Sequence, residues 1–259
     1  MSKQPIGIFD SGVGGTSIWK AIHGLLPNEN TIYLADSINA PYGPKGKEAI
    51  IALSEKNTEY LLNQNSKLIV VACNTATTNA IKHLRQKYKT PIIGIEPAIK
   101  PAALNTKTKS IGILATRGTL SSELFHNTSL LYSDGITIIE QEGEGIVQLI
   151  ESGNIVSCQM TDLLKTYLKP MIQANIDYLV LGCTHYPYLV PQLLKLLPSH
   201  VKIIDSGAAV ARQTKAVLEQ HGLLNQVVNK PTLKFYSNNN PVIMKDLLDG
   251  DFEVEFLSF

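Results

Sequence analysis

Short apolar runs rich in β-branched residues recur along the chain. Between them, apolar positions return with the 3.6-residue period of a helix face. The runs lie at 6–9, 31–35, 68–72, 92–95, 111–114, 136–139, 178–181 and 201–204. Each is nearly continuous in apolar character rather than alternating, which predicts parallel strands covered on both faces. Met160, Leu163, Leu164, Tyr167, Leu168, Met171 and Ile172 form a single helical stripe, suited to core packing. The alternation of strand and helix patterns predicts an α/β fold.

The pattern also repeats. IGIFDSGVGG at 6–15 resembles IGILATRGTL at 111–120, an offset of 105, and the strands at 31–35 and 136–140 share that offset. LIVVACNTAT at 68–77 resembles YLVLGCTHYP at 178–187 at an offset of 110, and PIIGIEPAI at 91–99 resembles KIIDSGAAV at 202–210 at 111. Ile50, Leu53, Leu61 and Leu62 fall 110 before Met160, Leu163, Met171 and Ile172. Matches in one order, with two cysteines in register, predict two equivalent α/β units related by a pseudo-two-fold. Pro97 and Pro101 favour an extended linker over 96–101. The expected division is 1–98 plus 209–259 for the first domain and 99–208 for the second. Residues after about 209 hold a helical stretch at 211–221 and a polar Pro/Asn-rich segment at 229–241, expected to pack back on the first unit.

Composition narrows the function classes. The chain has 259 residues, 44% of them hydrophobic, enough for one large core or two modest ones. Lys and Arg number 23 against 22 Asp and Glu, so there is no electrostatic footprint for nucleic acid. No apolar run approaches the ~18 residues of a membrane span. Residues 1–5 do not read as a signal peptide. Three cysteines make no disulfide framework and point to the reducing cytoplasm.

In open parallel sheets ligands bind at the carboxyl ends of strands. The residues at those ends are Asp10-Ser11, Asp36, Cys73-Asn74-Thr75, Glu96, Cys183-Thr184-His185 and Asp205-Ser206-Gly207. Two cysteines at equivalent ends of equivalent units place one thiol on each side of an interdomain cleft. Inversion of a stereocentre needs that arrangement, because one group removes the α-proton while a second delivers a proton to the other face. Helix starts expected at 75–88 and 188–197 offer amides to lower a thiol's pKa and to hold a carboxylate. Asp10 and His185 stand beside the two cysteines as supporting groups. Each cysteine alone is equally a buried small hydrophobe, and Cys158 has neither partner nor motif. A metal site from Cys73, Cys183 and His185 lacks any CxxC or paired histidines at ligand spacing. The turn Gly12-Val13-Gly14-Gly15 is neither GxGxxG nor a P-loop. It reads as a tight connection bringing backbone close to a small anion. No lysine motif for pyridoxal phosphate is present, and His23, His83 and His200 read as solvated or packing residues.

The segments Phe9-Asp10-Ser11-Gly12-Val13-Gly14-Gly15, Ala40-Pro41-Tyr42-Gly43, Ala72-Cys73-Asn74-Thr75-Ala76-Thr77 and Gly182-Cys183-Thr184-His185-Tyr186-Pro187 resemble the glutamate racemase family of the aspartate/glutamate racemase superfamily. The resemblance runs from about residue 5 to 212. It implies two α/β domains with the active site between them, no cofactor and no metal, and interconversion of L- and D-glutamate for bacterial peptidoglycan. Carried over by position, Cys73 and Cys183 are the acid/base pair, with Cys73 acting on D-glutamate and Cys183 on L-glutamate. Asp10 and His185 assist them. Ser11, Tyr42, Gly43, Asn74, Thr75 and Thr184 bind substrate together with Asp10 and His185. Glu151 matches a family acid on the second-domain side; Glu144 stands close enough in sequence to compete for that part. A homodimer is implied as well. Two other readings stay open: an aspartate racemase or related isomerase, and a non-catalytic binding module with inert thiols.

Overall fold

The computed structural model describes residues 2–227 and 230–259. Met1, and Asn229 at the head of the polar segment expected over 229–241, lie outside the described residues. The first half alternates β1 (Ile6–Asp10), α1 (Thr16–Leu25), β2 (Thr31–Ala35), α2 (Lys47–Asn63), β3 (Leu68–Val71), α3 (Asn74–Lys87) and β4 (Ile92–Gly94). The second continues with α4 (Ile99–Asn105), β5 (Ser110–Ala115), α5 (Arg117–Leu120), α6 (Glu123–Tyr132), β6 (Thr137–Glu142), α7 (Ile146–Glu151), α8 (Cys158–Gln173), β7 (Tyr178–Gly182), α9 (Val190–Leu196) and β8 (Lys202–Ile204). The chain closes with α10 (Gly207–Gln220), β9 (Leu233–Ser237), α11 (Pro241–Leu248) and β10 (Val254–Phe256).

Two parallel sheets result, ordered β10-β9-β2-β1-β3-β4 and β6-β5-β7-β8. The order around β1 is the order around β5. Burial on both faces explains the continuous apolar runs of the inner strands, whereas β6 and β8, at the edges of the second sheet, stay partly exposed, a correction to the expected cover on both faces. In β1, Ile6 and Ile8 enter one core and Phe9 the other; in β3, Leu68 and Val70 divide the same way from Ile69 and Val71. The second sheet repeats this, with Leu179 and Leu181 of β7 on one side and Val180 on the other. One of these cores is continuous between the sheets, joining Ile6, Val70 and Val13 to Ile146, Ile150 and Cys183. The chain leaves β1 for β2 on one side and returns to β3 on the other. That switch opens a crevice at the carboxyl ends of β1 and β3, and the same step recurs at β5 and β7.

Three local expectations change. The stretch 96–101 is not an extended linker: α4 begins at Ile99, and Pro101 sits in its first turn, where a missing N–H leaves no bond unmade. The helix expected at 188–197 is a 3-10 turn, Tyr186–Leu189, followed by the seven-residue α9. The polar segment after 229 contains β9, whose residues alternate in burial, with Phe235 and Ser237 inside and Lys234 exposed. β9 pairs with β2 and β10 with β9, so both extend the first sheet. No helix among the described residues is long and apolar enough to cross a membrane.

Candidate active site

β1 ends at Asp10 and β3 leads through Ala72 to Cys73, and the parallel register carries Ser11 and Cys73 out at the same level. Cys73 is the N-cap of α3 in extended backbone, and its Sγ accepts from the Ala76 amide at 3.4 Å. Its thiol also lies 3.6 Å from Ser11 Oγ. Asp10 is fully buried. Its carboxylate accepts from the Ser11 amide at 2.7 Å, the Gly15 amide at 2.5 Å and the Thr184 hydroxyl at 3.2 Å. Burial pushes the Asp10 carboxyl up to about 6, against the pull of His185 and the Gly15 amide. Burial and the nearby Asp10 together hold Cys73 well above its ordinary value, so this side rests as a thiol.

Cys183 follows β7, and its Sγ lies 3.7 Å from His185 Nδ1. On the far side of the ring, Nε2 donates to Glu151 Oε1 at 2.6 Å. Burial alone would push this imidazole down. Its hydrogen bonds to Cys183 and Glu151 overcome that and raise it well above its usual value, so it carries a proton at neutrality. Glu151, at the end of α7, also accepts from the Val13 amide at 2.7 Å and the Ser37 hydroxyl at 2.8 Å. The result is a Glu–His–Cys relay completed by donors from the first unit. The glycine turn earns its composition here. A Cβ on Gly12 would lie 1.9 Å from Glu151 Oε1, and one on Gly14 would lie 2.2 Å from His185 Nδ1. The turn's amides hold the protein's own Asp10 and Glu151, a correction to the expected approach to a ligand anion.

Both cysteines line one pocket, together with Ser11, Pro41, Tyr42, Gly43, Asn74, Thr75, Thr116, Val147, Thr184 and His185. Every residue expected at the substrate is therefore gathered at this pocket except Asp10, which lies beneath it. Glu151 stands behind His185. Glu144 is exposed on an outer groove. Glu96 and Asp205 lie elsewhere: both are exposed, and Asp205 accepts from the Gly207 amide at the start of α10. Cys158 is exposed. Among the described residues no three His, Cys, Asp or Glu side chains are placed to hold one metal ion.

The sequence reading missed Thr116 and Ser37. Thr116 had a signal, since it is the counterpart of Ser11 at the repeat offset of 105; its hydroxyl meets that of Thr75 at 2.8 Å across the cleft. Ser37 had none, because its partner is distant in sequence. Asp36 was noted without a role. Its carboxylate accepts from Tyr42 Oη at 2.5 Å, Asn39 Nδ2 at 2.9 Å and Asn238 Nδ2 at 2.6 Å, fixing the loop that carries Tyr42 and Gly43. Burial and Asp36 keep the Tyr42 phenol far above its usual value, hence neutral. The buried Asn74 amide finds no partner for either polar atom in the protein, an unmet demand that a polar ligand in the pocket would satisfy.

The pocket's volume is about 10 Å³, room for one water. A far larger groove of about 910 Å³ runs outside it along α2, α3 and α5, touching the pocket only through Gly43 and holding neither thiol. Chemistry, not size, marks the smaller space as the candidate centre.

Known proteins resemble this chain over most of its length. The family model of Asp/Glu/hydantoin racemases matches residues 15–214. The glutamate racemase of Herpetosiphon aurantiacus is 42% identical over 241 residues, covering 93% of this chain and 95% of that protein. The crystal structure of glutamate racemase isoform RacE1 from Bacillus anthracis superposes with a TM-score of 0.89 at 28% identity, over 100% of this chain and 98% of that one. The Escherichia coli glutamate racemase, solved with L-glutamate and the activator UDP-MurNAc-Ala, gives 0.86 at 33% identity and covers 98% of both chains.

Proposed function

The chain belongs to the Asp/Glu/hydantoin racemase family, and we propose that this member is a glutamate racemase working with two cysteines and no cofactor. The observation that carries the reading is that Cys73 and Cys183 line the same small pocket from equivalent strand ends of two equivalent units. Relatives named glutamate racemase over nearly the whole chain support the substrate.

On L-glutamate the Cys183 thiolate takes the α-proton from one face, forming its S–H bond as the Cα–H bond breaks. Cys73 gives its thiol proton to the opposite face, and D-glutamate results. The reverse reaction starts from the complementary charge state, Cys73 thiolate and Cys183 thiol. His185 pairs with the Cys183 thiolate, and Glu151 orients His185. The opening amides of α3 and the Asn74 side chain hold the substrate carboxylates, alongside Ser11, Tyr42, Gly43, Thr75 and Thr184. A space of about 10 Å³ admits an amino acid only when the two units part. Residues 1–98 with 209–259 and residues 99–208 are the two bodies that move. In this reading the enzyme works in the cytoplasm as a homodimer and supplies D-glutamate for peptidoglycan.

The test is chiral analysis of product from purified protein given L-glutamate or L-aspartate without added cofactor. D-glutamate, with aspartate turned over poorly or not at all, supports the reading. Preferential racemisation of aspartate replaces the substrate, and neither product removes the activity.

A further inference from the structure

Glu151 has one partner from its own unit, His185; its other two donors, the Val13 amide and the Ser37 hydroxyl, come from the first unit. Ser37 is the only side chain of the first unit that bonds this carboxylate among the described residues. It is buried, and it opens the 3-10 turn Ser37–Asn39 directly after Asp36. Asp36 in turn anchors Tyr42, on the Cys73 side of the pocket. One loop of the first unit therefore grips both halves of the site. When the units part, Oε2 of Glu151 loses its side-chain donor and Oε1 loses the Val13 amide, leaving the carboxylate to His185 alone.

We propose that Ser37 is a positioning residue that completes the Glu151–His185–Cys183 relay on closure, so that the Cys183 side becomes competent only once the first unit has docked. The proposal rests on the two-cysteine reading of the site. A hydroxyl gives Oε2 a directional partner and fixes the carboxylate plane against the imidazole. His185 then presents Nδ1 to Cys183 in one orientation. Binding energy from the substrate is thereby linked to assembly of the base, which keeps the second thiol idle in the open form.

Ser37→Ala, Ser37→Thr, Glu151→Gln and the double variant Ser37→Ala/Glu151→Gln test this by steady-state kinetics in both directions, with thermal melting alongside. Ser37→Ala is expected to lower kcat about tenfold, the loss of one hydrogen bond to a charged group. KM should stay within about twofold and the melting transition should not move. Ser37→Thr should restore most of the rate. L- and D-glutamate are equal in free energy, so kcat/KM must fall equally from either side. On the Glu151→Gln background, Ser37→Ala should add almost nothing, because both act on one carboxylate. A wild-type rate in Ser37→Ala, a loss fully additive with Glu151→Gln, or failure of threonine to rescue overturns the role of Ser37 alone. A fully active Glu151→Gln overturns the relay itself and the proposal with it.

Discussion

A single methyl group at position 14 should disable the site while leaving the fold in place. Gly14 stands where the glycine turn of the first unit presses on the second. A Cβ there would lie 2.2 Å from His185 Nδ1, 2.4 Å from its Cγ and 2.6 Å from its backbone nitrogen, against the 3.4 Å at which ordinary contact begins. One of those atoms is main chain, so rotation of the ring does not relieve the clash. The turn from Cys183 to His185 must retreat by about 1 Å, or the units must stay apart. A misplacement of that size costs about 10²-fold in rate, and the overpacking costs about 1–3 kcal/mol in stability. Gly24→Ala is the matched control, since no atom lies within 4 Å of a Cβ there and the residue sits in α1; it should gain up to about 1 kcal/mol and keep full activity. Kinetics and chemical denaturation of both variants decide the matter. A folded Gly14→Ala protein that turns over at the wild-type rate would show that His185 is not held where the chemistry requires it.

Further consequences follow from the buried groups. Lys67 and Glu29 form a 2.6 Å ion pair with side chains only 1% and 2% exposed. Lys67→Met should destabilise the protein by about 3–5 kcal/mol in denaturant, and adding Glu29→Leu should recover much of the loss; a double variant worse than the single one contradicts this. Asp10 binds its proton more tightly when folded, at about 6, than an exposed carboxyl does. Protonation therefore favours the fold: measured against Asp10→Asn, wild-type stability should rise by about 2.4 kcal/mol as pH falls from 7.5 to 4, and a flat difference would refute the burial cost. Asn238→Ala removes a donor from Asp36 and loosens the Tyr42 loop, so KM for glutamate should rise severalfold with little change in melting; an unchanged KM would sever the C-terminal strands from the site.

The core strands were legible because parallel strands buried on both faces carry a continuous apolar signature that survives without context. The repeat was legible for the same reason, since the apolar runs of β1 and β5, then of β3 and β7, match in order, with a cysteine following each of the second pair. β9 was not, because a strand that alternates and begins beside asparagines and prolines looks like a loop until β2 supplies its partner. The cysteines, His185 and the α3 start announced themselves by position. The cross-unit contacts did not. Ser37 reaches a residue 114 positions away, and Thr16 meets Tyr188 at 2.5 Å across 172. Such pairs exist only after docking and leave no periodic trace in the chain. The glycine turn shows the opposite failure: its composition was visible, but what it makes room for, Glu151 and His185, was not.

Isotope placement tests the two-thiol claim most directly. L-glutamate is incubated with the protein in deuterium oxide, stopped early, and both enantiomers are analysed for deuterium at Cα. With one sulfur removing the proton and the other delivering a solvent-derived one, the D-glutamate should carry deuterium while the remaining L-glutamate stays unlabelled. Label entering both enantiomers at equal rates would mean that a single base serves both faces, and the pairing of Cys73 and Cys183 at one pocket would not be the source of catalysis.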